Sequence, residues 1–401
     1  MERQHRLRRR DQLRFRRRRS GQCRGHRPLH LTGLRGAGGV RRARQRCGLS
    51  VDHRYGTTDF GLEHFFFESK LSRTVDGAIP LSTPGTSHQE VSFADRALEP
   101  APPEGCPPPL RCRQIAAALD ELASPWEVAG SPLGTHGWCW GSGPPLYFLN
   151  PLGGSARVFT LAAWLLREDF RCVMIDWNPP LRGQPADLDA FAADFRSLAD
   201  SADDQGITVF GGSFGGAVAL KAAASAPGLI DRLIVQDVRV HQKLSWSELA
   251  LAYAGRRSQR TVRQLPFSGK VQRLNHARWF PPLDAERWEW FLELIGDFPA
   301  SLLATQALAL HHADLSLELG KVGCPVLVLD TEGAGPQARV EQALLRKMLP
   351  RGHAASLHTT GLYPYLTHPH RLVKLVRQFV SDPDSLDGPS PVPEFFPLKP
   401  S

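Results

Sequence analysis

The residues best suited to chemistry lie in the run 209–216, which reads VFGGSFGG. It contains the pattern Gly-x-Ser-x-Gly centred on Ser213, between an apolar stretch that predicts a strand and an alanine-rich stretch that predicts a helix. A sharp turn from strand to helix holds a serine hydroxyl at the end of the strand in strained backbone. Gly211 and Gly215 are expected there because a Cβ atom at either position would collide across the turn. The pattern predicts a nucleophilic serine.

The first backbone amide of the predicted helix is a candidate for binding negative charge. The Phe214 N–H, supported by the helix dipole, predicts stabilisation of an oxyanion formed when Ser213 attacks a carbonyl. The alternative is a glycine-rich loop with an incidental serine. A phosphate-binding loop is excluded because the run lacks its lysine and its spacing. Histidine and cysteine spacing defines no metal site, and we expect neither a metal nor a cofactor.

The elements that position this run alternate between strands and helices from about residue 110, with the globular domain expected at 109–381. Strands are predicted at 138–140, 146–149, 172–175, 207–210, 233–235 and 325–329, the first two as an antiparallel pair. Helices are predicted at 114–122, 159–167, 188–199, 217–226 and 372–380. This order predicts a mostly parallel sheet with helices on both faces. Residues 239–312 show no strand pattern and predict a helical cap.

Residues 136–381 resemble the α/β-hydrolase fold, with the cap between the sixth and seventh strands. The run 141–155 is similar to the family's second strand pair and oxyanion loop, although Asn150-Pro151 stands where the family has His-Gly. Residues 361–366, followed by Pro369, resemble its final histidine-bearing turn and helix. The resemblance implies the α/β-hydrolase fold.

The same resemblance implies a cofactor-independent serine hydrolase of an ester, thioester or amide. An acyl-enzyme would form on Ser213, with the N–H groups of Leu152 and Phe214 as oxyanion donors. The expected partner is a small-molecule acyl substrate. Acyl transfer to another acceptor is a variant of the same chemistry.

The chain departs from the family at the expected base and acid. Leu362 stands where the resemblance places the histidine, and Ala334 is near the expected aspartate. The nearest substitute for the base is His358, and the candidates for the acid are Glu332 and Asp237. A nucleophile of this kind needs a base and an orienting carboxylate. A second interpretation therefore stays open, in which the protein is a catalytically degenerate member that binds a ligand or regulates a partner.

The net charge of +9 is concentrated at one end of the chain. Residues 1–50 hold seventeen Arg, no Lys and only Glu2 and Asp11, a charge of +15, so the other 351 residues carry −6. The leader, 1–108, is predicted to be disordered or to result from a start site set too early; a nucleic-acid-binding arm and a targeting peptide are the alternatives. We expect a disordered tail at 382–401.

The distribution of apolar residues and of cysteines indicates where in the cell the protein is expected. No uninterrupted apolar run of eighteen or more residues occurs, so no membrane partner is expected. The seven cysteines include no CxxC pair and suggest no disulfide framework. A cytoplasmic location is the default expectation, and nucleic acid is expected as a partner only through the arginine-rich leader.

Overall fold

The computed structural model describes residues 111–179, 186–277, 280, 284–331, 335–357 and 361–386. The predicted leader, 1–108, lies outside the described residues, as does the tail from residue 387. Residues 382–386, which were assigned to the disordered tail, contain a short 3-10 helix at Pro383–Leu386. Within these ranges no helix is long and apolar enough to cross a membrane.

Eight strands form one sheet in the order β1-β2-β4-β3-β5-β6-β7-β8. β2 runs antiparallel to both of its neighbours, and the pairs from β4 to β8 are parallel. In chain order the strands are β1 Ser124–Glu127, β2 His136–Trp140, β3 Pro145–Leu149, β4 Arg171–Asp176, β5 Ile207–Gly212, β6 Ile230–Gln236, β7 Val326–Thr331 and β8 Gly352–Leu357. The predicted mostly parallel sheet is confirmed.

The predicted antiparallel pairing of β2 with β3 is wrong. β4 lies between them, with Trp138 opposite Met174 on one side and Phe148 opposite Met174 on the other. The glycine turn that suggested a hairpin instead packs against the segment that enters β4. A Cβ atom on Gly141, whose φ is 89°, would lie 2.2 Å from the carbonyl oxygen of Arg167. The turn is therefore shaped by this close approach rather than by hairpin pairing.

Helices cover both faces of the sheet. In chain order they are α1 Cys112–Leu122, α2 Thr160–Leu166, α3 Leu188–Ser201, α4 Phe214–Ser225, α5 Trp246–Gly255, α6 Ser268–His276, α7 Ala285–Gly296, α8 Ala300–His312, α9 Ser316–Leu319, α10 Gly335–Met348, α11 Pro364–Thr367 and α12 Pro369–Ser381. α2 contacts α1 and α12 in one group, whereas α4 contacts α3 and α9 in another. These are the two helical layers expected for a parallel sheet.

The connection from β6 to β7 holds α5 to α9, so the described residues of the predicted cap, 239–312, are largely helical. α8 is buried from Ala300 to Leu310. α5 packs on it in the opposite direction, since the Leu244 N–H donates to His311 Nδ1 at 2.9 Å and a Cβ on Gly255 would lie 3.4 Å from the side chain of Ala304. We call residues 237–325 the insertion.

An aromatic cluster ties the sheet to the segment before α12. Tyr365 lies 4.7 Å from Phe159 and 6.4 Å from Phe210, measured between ring centroids, and Phe148 packs 5.3 Å from Phe159. All four rings are fully buried. Edge and tilted ring contacts of this kind add to the free energy gained from burial. The cluster fixes residues 361–366 over the carboxyl ends of the central strands.

Candidate active site

Ser213 occupies a single-residue turn between β5, which ends at Gly212, and α4, which begins at Phe214. Its backbone angles are φ 45° and ψ −107°, which is uncommon for a residue with a side chain. The Ser213 N–H donates to the carbonyl oxygen of Gln236 at 2.7 Å, which ties the turn to β6. Strain of this kind costs about 1–3 kcal/mol and persists only where the surrounding structure enforces it.

The glycines around Ser213 leave no room for a Cβ atom. A Cβ on Gly211 would lie 2.5 Å from the Cα of Gly216, and one on Gly215 would lie 2.4 Å from the carbonyl oxygen of Leu149. A Cβ on Gly216 would lie 2.4 Å from a methyl group of Val238. The collisions agree with the expectation for Gly211 and Gly215. The third required glycine, Gly216, was missed because its constraint comes from Val238, which follows β6, and not from the motif.

The side chain of Phe214 anchors the first turn of α4. Its ring lies 4.9 Å from Phe191 and 5.9 Å from Trp177, both nearly perpendicular. All three rings are fully buried, and the Trp177 Nε1–H donates to Asp194 at 3.0 Å. This packing points the Phe214 ring into the core and leaves its backbone N–H at the open end of the helix.

The loop after β3 brings further backbone amides to this edge of the sheet. Asn150 Nδ2 donates to the Gly154 carbonyl at 2.9 Å, and the Gly153 N–H donates to Gln306 Oε1 of α8 at 3.1 Å. In contrast, the N–H groups of Leu152 and Phe214 have no hydrogen-bond partner in the described part of the chain. Two unpaired donors are therefore available near a strained serine.

Asp176, at the end of β4, fixes the far end of this loop. It accepts from the Ser155 hydroxyl at 2.5 Å and from the Ala156 N–H at 2.7 Å. Burial raises the pKa of Asp176, and these two hydrogen bonds oppose the rise. The loop is thus held at Gly153 by Gln306 and at its far end by Asp176.

Leu362 lies at the position expected for the histidine. Gln236, whose carbonyl oxygen accepts from Ser213, also donates its side-chain Nε2–H to the Leu362 carbonyl at 2.7 Å. One residue thus contacts both the nucleophile turn and the segment where the base was expected. The Leu362 side chain is half-buried and packs on the core. A leucine cannot accept a proton, so this position supplies no base.

Asp237 follows Gln236 with a left-handed φ of 53°. Its carboxylate makes no hydrogen bond to a described residue. Burial raises the pKa of Asp237 from 3.8 to about 6, although the positive charge of Arg239 opposes the rise. Burial, and secondarily the charge of Asp237, raises the pKa of the Tyr363 phenol, so the carboxylate lies close to that residue. A half-buried carboxylate with a raised pKa, just beyond the carboxyl end of β6, marks a candidate functional position.

The other two candidates, His358 and Glu332, lie outside the described residues. Within the described ranges no side chain is hydrogen-bonded to the Ser213 hydroxyl. One histidine that the sequence did not indicate is His276 of α6, which is 1% exposed and lies 5.7 Å from the Tyr363 ring. No sequence pattern distinguishes it, because it reaches this region through the packing of the insertion.

A cavity of about 450 Å³ lies between the loop after β3 and the insertion. Its lining includes Ser155 and Trp177 from the sheet side, and Trp290 and Leu302 from the insertion. Leu302 and Gln306 are one helical turn apart on α8, a distance of about 6 Å along the axis. The cavity therefore approaches the loop whose Gly153 is bound by Gln306. Its volume is that of a small-molecule site, and its lining combines aromatic side chains with charged ones.

Comparison with known proteins agrees with this architecture. The family model described as "Alpha/beta hydrolase family" matches residues 128–375. An esterase from Thermogutta terrifontis is 19% identical with a TM-score of 0.53, over 65% of this chain and 98% of that one. A hydrolase from Pseudomonas aeruginosa PA01 is 20% identical with a TM-score of 0.52, over 64% and 98%. An esterase from Exiguobacterium antarcticum is 17% identical with a TM-score of 0.51, over 62% and 96%. At these identities the likeness shows the fold alone, and no curated protein matches significantly.

Proposed function

The chain belongs to the alpha/beta hydrolase family, and from this premise we propose that it is a serine hydrolase that cleaves an ester, thioester or amide through an acyl-enzyme on Ser213. One observation carries the proposal. Ser213 is held in strained backbone, with φ 45°, at the end of β5, and the Leu152 and Phe214 N–H groups are unpaired in the described part of the chain. A serine in strained backbone beside two N–H groups that can donate is an arrangement suited to forming and stabilising an oxyanion.

In the proposed reaction the Ser213 oxygen forms a bond to the acyl carbon, and the carbonyl oxygen becomes negative. The Leu152 and Phe214 N–H groups donate to that oxygen, aided by the N-terminal dipole of α4. The serine proton passes to a base and then to the leaving group as the bond from carbon to the leaving group breaks. Water then attacks the acyl-enzyme, releases the acid and restores the Ser213 hydroxyl.

We assign the base to His358 and the orienting carboxylate to Asp237. His358 is four residues before Leu362 in the chain and is the nearest histidine in sequence to that position. Asp237 is favoured over Glu332 because it directly follows Gln236, which contacts the Ser213 turn, and because its carboxylate has no hydrogen-bond partner in the described part of the chain. A carboxylate in this role stabilises the imidazolium that forms when the base takes the serine proton.

The test is the rate of labelling of the full chain by a fluorophosphonate, which reacts with activated serines. We expect wild type to be labelled, Ser213→Ala to be unlabelled, and His358→Ala to react at least about a thousandfold more slowly. His370→Ala, which changes an exposed histidine on α12, is the matched control and should react like wild type. Labelling of Ser213→Ala at the wild-type rate would refute the assignment of the nucleophile.

A second candidate function is ligand binding without catalysis, and the leucine at position 362 favours it. Leu362→His separates the two functions, because it puts an imidazole on the segment that Gln236 ties to the Ser213 turn. If wild type folds but is not labelled and Leu362→His is labelled, the natural chain is a binding module with a dormant nucleophile. If wild type is already labelled through His358, Leu362→His adds little, and the hydrolase proposal stands.

A further inference from the structure

The outer face of α5 carries apolar side chains where a surface helix normally carries polar ones. Trp246 is 88% exposed, Tyr253 48% and Leu251 45%. The one charged residue of the helix, Glu248, is instead buried. Its carboxylate accepts a hydrogen bond from the Ser245 N–H at the start of the helix. We call the exposed set Trp246, Ala250, Leu251, Tyr253 and Ala254 the α5 face.

The α5 face is bordered by positive charge. Residues 241–277 contain seven Lys and Arg but only one acidic residue, Glu248, although the chain after residue 50 is acidic overall. Arg256, Arg257 and Arg260 lie within five residues of the end of α5 and make no ion pair with a described residue. These three cations lie close to the apolar face in the chain.

α6, the next helix of the insertion, also has exposed apolar side chains beside basic ones. Phe267 is 65% exposed just before α6, and Leu274 is 70% exposed near its end. Lys270 and Arg273 lie between them and are exposed. Five of the nine large apolar side chains that are exposed in the described ranges fall within residues 246–274, and they include all the aromatic ones. This concentration distinguishes the insertion from the rest of the described surface.

We propose that the α5 face docks on an anionic lipid surface, with Trp246 and Tyr253 in the interfacial region and the arginines at 256, 257 and 260 against the headgroups. Tryptophan and tyrosine favour the membrane–water interface because their rings are apolar with one polar end. Basic residues near the surface attract anionic headgroups. A nucleic acid would satisfy the cations but not the aliphatic side chains. A second copy of the chain would bring two basic segments together, and their like charges would repel each other.

The charges of the arginines and the apolar area of Trp246 should contribute to vesicle binding by amounts that can be measured separately. Each arginine near an anionic surface contributes about fivefold to the partition coefficient, so Arg256→Gln with Arg257→Gln should weaken binding about 25-fold. Removing the apolar area of Trp246 should weaken it by about tenfold or more. The arginine effect should shrink as salt is raised, because salt screens charges. The tryptophan effect should persist.

The experiment uses the full chain with vesicles of phosphatidylcholine, alone or mixed with phosphatidylglycerol, a fraction of the lipid carrying brominated chains. Bromine quenches tryptophan fluorescence only at short range, so quenching reports insertion of a ring. We expect quenching of wild type on the mixed vesicles and its loss in Trp246→Phe. The arginine-rich leader is present in every variant and cannot produce this difference. Leu317→Ser, which changes a side chain that is 74% exposed on α9, is the matched control.

Three results would overturn the proposal. The first is binding without quenching, which would assign vesicle binding to the leader. The second is quenching that survives in Trp246→Phe. The third is a dimer in light scattering that dissociates in Trp246→Ser, which would make a second copy the occupant of the α5 face. Ser213→Ala should bind vesicles like wild type, so failure of the proposed hydrolase activity would leave this test intact.

Discussion

Asp237→Asn should make the folded protein more stable at neutral pH, because it removes a carboxylate that is ionised at the cost of partial burial. Burial raises the pKa of Asp237 to about 6 in the folded chain, against 3.8 for the ordinary group. Between these two values the folded state binds more protons than the unfolded state. The contribution of Asp237 to stability is therefore present in full below pH 3.8 and is lost as the pH rises through about 6.

The size of this effect follows from the pKa difference. About two pKa units correspond to about 3 kcal/mol above pH 7. Asparagine keeps the shape of the side chain and tolerates the left-handed φ of 53° at this position. Asp237→Asn should therefore raise the free energy of unfolding by about 3 kcal/mol near pH 8, which is roughly 5–10 °C in Tm. Near pH 4 the two proteins should differ by only about 0.6 kcal/mol.

The assay is urea denaturation of wild type and Asp237→Asn near pH 4 and near pH 8, followed by tryptophan fluorescence. Asp200→Asn, a change of an exposed aspartate on α3, is the control and should show no comparable gain. The labelling rate by a fluorophosphonate should fall in Asp237→Asn as its stability rises, as expected when a functional group is held at a cost to the fold. A loss of stability near pH 8, or a gain of equal size at both pH values, would refute the reasoning.

Other predictions concern the serine turn and the loop beside it. Gly215→Ala should lower the free energy of unfolding by about 2–3 kcal/mol because its Cβ would lie 2.4 Å from a backbone oxygen, whereas Gly320→Ala, with no atom within 4 Å, should change it by less than about 0.5 kcal/mol in urea denaturation. Ser213→Gly should be about 1 kcal/mol more stable than Ser213→Ala, since glycine relieves the strained φ of 45°; equal stability would mean that the turn is not strained. Gln306→Leu should cost about 1–3 kcal/mol by leaving the Gly153 N–H unpaired, and it should slow fluorophosphonate labelling; an unchanged labelling rate would show that Gln306 does not hold the loop in place.

Much of the strand and helix order was predictable because its signals are local. Apolar runs marked the buried strands, and the Gly-x-Ser-x-Gly pattern marked the turn after β5. The start of α4 was predicted at residue 217 but lies at Phe214, since Gly215 and Gly216 weaken the local helix signal. Burial of the Phe214 ring against Phe191 stabilises this first helical turn, whose residues have a low helix propensity. Tertiary packing decided that boundary.

The remaining features depend on contacts between distant residues. The antiparallel pair of β2 and β3 was wrong because an apolar pattern shows that a strand is buried but not which strand lies beside it. β1 was missed because its residues are mostly exposed and show no apolar alternation. The hydrogen bonds from Gln236 to Leu362 and from Gly153 to Gln306 join residues 126 and 153 positions apart. No local spacing indicates either pair.

The insertion between neighbouring strands has a consequence for how the chain is made. β6 ends at Gln236 and its partner β7 begins at Val326, so about 90 residues must be synthesised before the two can pair. At about 5–20 residues per second this takes about 5–18 s. During that time a buried strand has one edge without its partner, and such an edge invites pairing with other chains. The length of the insertion therefore sets a period on the ribosome in which this edge of β6 is open to pairing with other chains.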